Sequence, residues 1–149
     1  MKANAVLLAL LSGLCTCIFA ENTNSFSATQ VLLIDQTSIP VSAGGKATLS
    51  ISPLRPSSNT YAGDYHMKVS PYFFKSEHGK LSMSIPDECF AKVAKGLMTE
   101  VSGTATSQDG QTRYIHAEAT PLDKSKGTLK LWFLVGERKM VFNTMYHLQ

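Results

Sequence analysis

The chain is short of cysteine, of charge and of catalytic signatures, and each shortage excludes something. There are three cysteines in 149 residues, and two of them, Cys15 and Cys17, lie in an apolar N-terminal stretch. Once that stretch is removed only Cys89 remains, so an intramolecular disulfide is excluded and the domain must stand on packing alone. Lone Cys89 reads as a small buried hydrophobe. A nucleophile would need a neighbouring His and an electropositive setting, which the sequence does not offer. Charged residues make up 17% of the chain, scattered singly or in pairs. Without a dense basic face, nucleic-acid binding is excluded as a working hypothesis.

Catalytic motifs are equally scarce. No Gly-x-Ser-x-Gly elbow occurs, so the sequence gives no sign of a hydrolase nucleophile. Gly44-Gly45 precedes a strand pattern and not a helix, which removes the context of a nucleotide-binding loop. Asp87 and Glu88 are adjacent and fit a helix first turn, where carboxylates favour the dipole. Nothing calls for a cofactor. No Asn-x-Ser/Thr sequon occurs either, which suits a bacterial periplasmic or secreted product.

What is present begins with residues 1–20. Lys2 supplies a positive start, Ala5 to Leu11 is unbroken apolar sequence, and Ala20 puts a small residue before Glu21. That order is the pattern of a cleavable secretory signal peptide. Ser12, Gly13 and Thr16 interrupt the stretch, and a spanning helix needs about 20 predominantly apolar residues. An uncleaved anchor is the weaker alternative, and a lipoprotein modified at Cys17 is weaker still. No other segment could span a bilayer as a helix. Cleavage after Ala20 leaves 129 residues with a net charge of +2, the size of one domain. Residues 21–28 read as a polar, flexible arm, and 29–149 as a single β-rich domain.

Alternation of apolar and polar residues runs through that domain. Val31 to Ile34 reads as a first strand. Ala47, Leu49 and Ile51 alternate with Thr48, Ser50 and Ser52, the period of a half-buried strand. Arg55 to Gly63 reads as a loop. Tyr65 to Phe74 reads as the next strand, bulged or at an edge because Pro71 cannot donate to a ladder. Ser76 to Gly79 reads as a hairpin loop, followed by a strand through Leu81, Met83 and Ile85.

Phe90, Val93, Ala94 and Leu97 then recur at helical spacing, predicting a helix of about three turns. Ser84 and Asp87 would form its capping box and Gly96 its stop. Strands resume over Val101 to Thr106, Arg113 to Thr120, Leu129 to Val135 and Arg138 to His147. Asp109-Gly110 and Gly136-Glu137 mark tight hairpins. The expected fold is mainly β: an antiparallel sandwich or small barrel of about eight strands, with one short helix between the fourth and fifth.

Two regions carry more apolar surface than a half-wet sheet needs. Trp132 and Leu134 lie on the second face of a strand whose first face is already Leu129, Leu131, Phe133 and Val135. Tyr72 and Phe74 likewise lie opposite Phe73. Either the helix covers Trp132 and Leu134, which is the favoured expectation, or Tyr72, Phe74, Trp132 and Leu134 form a ligand or partner surface. His116 and Glu118, two apart on one strand, share a face and are the candidates for a metal site, with His66 or His147 as a third ligand.

The sequence therefore points to an exported, periplasmic or secreted, non-catalytic binding or structural module with a protein partner. The alternative is a small barrel or sandwich holding an apolar small molecule or peptide. The third reading is a metal-assisted enzyme using His116 and Glu118.

Overall fold

The computed structural model describes residues 29–58 and 60–149. The signal peptide and the arm expected at 1–28 lie outside the described residues.

Ten strands and one α-helix follow in order: β1 (Leu32–Ile34), β2 (Thr37–Val41), β3 (Gly45–Ile51), β4 (Arg55–Ser57), β5 (Thr60–Ser70), β6 (Glu77–Ser84), α1 (Asp87–Ala94), β7 (Thr99–Ser107), β8 (Thr112–Pro121), β9 (Lys126–Val135) and β10 (Arg138–Leu148). The chain is mainly β, as the alternation predicts. Every strand pairing is antiparallel, in one curled sheet that forms a half-barrel, ordered β1-β10-β9-β8-β7-β6-β5-β3-β2, with β4 attached to β5.

Period-two spacing places one face of this sheet inside. Tyr65, Met67 and Val69 of β5, Leu81 and Met83 of β6, and Ile115, Ala117 and Ala119 of β8 are buried. So are Leu129, Leu131 and Phe133 of β9, with Met140, Phe142 and Tyr146 of β10. Phe142 and Leu54 are sealed completely. Between β6 and β7 the strands approach closely. A Cβ added to Gly103 would stand 2.2 Å from the Ser82 carbonyl oxygen and 2.6 Å from Met83 Sδ.

The two edge strands are consecutive in the chain, separated only by Asp35 and Gln36. At that bend Asp35 N donates to the Met145 carbonyl (3.0 Å), Thr144 Oγ1 donates to the Asp35 carbonyl (2.7 Å), and Thr37 Oγ1 donates to the Asn143 carbonyl (2.8 Å). One segment thus leaves β10 and joins β3.

Several expectations need correcting. Six strands precede the helix, because β2 and β4 escaped the pattern. β4 is three residues containing Pro56 in a stretch read as a loop. β2 carries Pro40, tolerated because it is an edge strand. β5 starts at Thr60 and stops at Ser70, so Tyr72 and Phe74 are not on a strand, and a 3-10 turn covers Phe73–Lys75. Residues 77–79, expected in a hairpin loop, belong to β6.

The helix is about two turns long. Its N-cap is Pro86, and no side chain caps it, so the Ser84–Asp87 box does not form. Gly96 does end it: with φ +74° it lets its own N–H reach the Val93 carbonyl and that of Leu97 reach the Lys92 carbonyl. Leu97 is then carried outward and is 53% exposed. Cys89, Phe90 and Val93 are the buried face. That face packs against β7 and β8 and closes one end of the interior, bounded there by Leu32, Ile85, Leu129 and Leu148.

Candidate functional site

Among the described residues, two small cavities lie in the interior. One cavity of ≈ 20 Å³ lies among Leu49, Tyr65, Leu81, Ile115 and Phe133. A second, of ≈ 40 Å³, lies beneath α1. Sites for small molecules measure roughly 300–1,000 Å³. Where the curl leaves the helix behind, Tyr65, Glu77 and Arg113 meet on the inner face. The Tyr65 hydroxyl and the Arg113 guanidinium both donate to Glu77 Oε1. Both charged side chains are mostly buried. Burial, reinforced by the bond to Glu77, pushes the Tyr65 hydroxyl well above the usual phenol range.

The sequence-derived candidates fall on the outer surface, in separate places. Tyr72 and Phe74 meet in the loop after β5, rings 6.1 Å apart and edge-on, with the Lys75 ammonium 5.3 Å and 5.9 Å from their centres. Tyr72 packs on the core margin and donates to the Ala43 carbonyl (3.3 Å). Phe74 is 81% exposed. Trp132 and Leu134 are on β9, four strands away through the sheet.

The helix does not cover Trp132, contrary to expectation. Phe90 and Val93 turn to the closed end of the interior, whereas Trp132 points outward. Its neighbours across the two adjacent strands cover it: the His116 ring stacks on it at 4.2 Å, tilted by 12°, and the Lys139 ammonium stands 3.8 Å from its centre. The ammonium is held by the negative face of the indole, an interaction of about 1 kcal/mol at an exposed site. Leu134 stays exposed.

His116 and Glu118 do share a face, as alternation dictates, but each has a different partner. His116 faces Trp132, and Glu118 accepts from Lys130 at 3.4 Å. His147 pairs with Asp35 at 3.3 Å, and His66 sits opposite His78. Among the described residues, no three His, Cys, Asp or Glu side chains converge where they could hold a metal. Cys89 is buried, with Sγ 3.8 Å from the Glu100 carbonyl oxygen.

Larger open space lies on the outer face of the sheet. A groove of ≈ 470 Å³ crosses β6, β7 and β8 and is lined by Thr60, Ser82, Ser84, Ser102, Gly103, Thr104, Tyr114, Ile115 and His116. No Asp, Glu, Lys or Arg lines it. Tyr114, at its rim, is 75% exposed. The outward positions of β6 and β7 at the groove, Ser82, Ser84, Ser102 and Thr104, are hydroxyl-bearing, a signal present in the alternation with Leu81, Met83 and Ala105. Their gathering beside Tyr114 depends on the register Ser82↔Thr104↔Tyr114, which spacing within one strand does not encode.

No protein-family model, no curated protein and no solved structure matches this chain. Among the described residues, no helix is long and apolar enough to cross a membrane.

Proposed function

We propose that this chain is an exported, non-catalytic binding module that takes its ligand on the outer face of β6–β8. The observation that carries this reading is an open outer groove of ≈ 470 Å³ lined by no Asp, Glu, Lys or Arg, against cavities of ≈ 20 and ≈ 40 Å³ inside. Export rests on the signal pattern of residues 1–20. The curled sheet is read as a small barrel, drawn shut by the β1–β2 segment, and not as a sandwich.

The lining suggests the ligand class. Serine and threonine hydroxyls both donate and accept, and the groove holds no full charge. An exposed tyrosine offers an apolar ring with a polar tip. A neutral glycan fits this chemistry, since its hydroxyls match the groove and the C–H face of a sugar ring matches Tyr114.

The reading is tested by calorimetric titration of the mature chain with neutral oligosaccharides, namely cello-, malto- and chito-oligomers. One series should bind, and Tyr114→Ala should weaken it at least tenfold. Absence of binding by all three, together with a lipophilic molecule co-purifying in native mass spectrometry, would favour the interior apolar-ligand alternative and overturn the outer-face reading.

A further inference from the structure

A second and larger open groove, of ≈ 870 Å³, runs over the outer face of β3, β5 and β6 beside the end of β7. Two histidines lie at its centre. His66 of β5 and His78 of β6 are direct register partners. Both are exposed, and their rings stand 6.3 Å apart at 89°.

Residues directly opposite in an antiparallel pair hold their Cβ atoms about 4.5–5.5 Å apart. Both imidazoles can therefore reach one point above the sheet. An ion bonded to two imidazole nitrogens at about 2.0–2.1 Å each separates the ring centres by roughly 5–6 Å. Small rotations of two exposed side chains meet that requirement without moving the backbone.

The backbone beneath is fixed. His78 N donates to Gln108 Oε1 (3.0 Å), and Gln108 N donates to the His78 carbonyl (3.0 Å). The neighbouring cations on this face are engaged elsewhere: Lys80 is paired with Asp64, and the Lys68 ammonium lies over the Phe73 ring at 5.7 Å.

We propose that His66 and His78 form an open two-imidazole site for a borderline divalent transition-metal cation, with water completing the coordination. Nitrogen ligands of this kind favour Cu²⁺ over Zn²⁺, and they exclude Mg²⁺ and Ca²⁺, which require oxygen. The site is separate from the groove at Tyr114 and does not depend on its ligand.

The test is titration of the tag-free mature chain with Cu²⁺, Zn²⁺ and Mg²⁺ by calorimetry, with an electron paramagnetic resonance spectrum of the copper complex. The expected result is one equivalent of Cu²⁺, bound more tightly than Zn²⁺, with coupling to two imidazole nitrogens and no uptake of Mg²⁺. His66→Ala and His78→Ala should each lower the copper affinity at least tenfold, while His116→Ala and His147→Ala leave it unchanged. Wild-type affinity in either of the first two variants would sink the proposal. A measurement on the unaltered chain guards against misfolded variants: Cu²⁺ should broaden amide resonances around residues 66 and 78 first. Broadening centred on Asp35 and His147 would overturn it equally.

Discussion

Glu77 is the residue on which the polar end of the interior turns. Its carboxylate receives Tyr65 and Arg113 on one oxygen, so the phenol is held protonated by burial first and by that bond second. Burial also raises the Tyr61 and Tyr146 hydroxyls. A folded-state pKa above the unfolded value means that the native chain keeps its proton longer. The associated stability is present in full below the unfolded phenol value of 10.0 and is lost as pH rises beyond it. Urea denaturation followed across pH 8 to 12 should therefore show a decline beginning near pH 10. Tyr65→Phe should make that decline shallower. It should also cost about 1 kcal/mol at neutral pH, because Glu77 loses a donor. An unchanged alkaline slope would show that Tyr65 is not the titrating group.

Among the elements, the β6–β7 pair is the one whose geometry depends most on a missing side chain. Gly103 lets the strands meet where any Cβ would strike the Ser82 carbonyl and Met83. Gly103→Ala should cost about 1–3 kcal/mol, the usual range for overpacking, read as a lower urea midpoint at unchanged slope. A neutral result would mean that the strands separate freely. Strands such as β3, β8 and β9 were legible from period two alone, since each has a continuous apolar row to bury. β4 was not, because three residues around Pro56 carry no period and owe their pairing to β5. Helix α1 was legible as a single helical segment, but neither its place in the strand order nor its burial partner was. Phe90 and Val93 specify an apolar face without specifying which surface receives it, and the open end of the curl proved nearer than Trp132. The candidate site was hidden for the same reason. Ser82, Thr104 and Tyr114 are unremarkable one at a time and become a lining only through cross-strand register.

For the molecule as a whole, the described architecture stands without a covalent staple. The described part holds one free, buried cysteine, so no disulfide within it can reinforce it and packing must suffice. The signal pattern of residues 1–20 predicts that mass spectrometry of the product purified from its native host finds Glu21 as its first residue. A product retaining residues 1–20 would reverse the assignment of that segment. The bend at Asp35 and Gln36 has one more implication. Because β1 and β2 occupy the two margins of the sheet and are joined there, a single proteolytic nick at this bend would unlatch both margins together. Two rows of unpaired amides and carbonyls would be laid bare in one event, each a template for another chain. The bend is therefore a point at which one cut would open this fold to pairing with another chain.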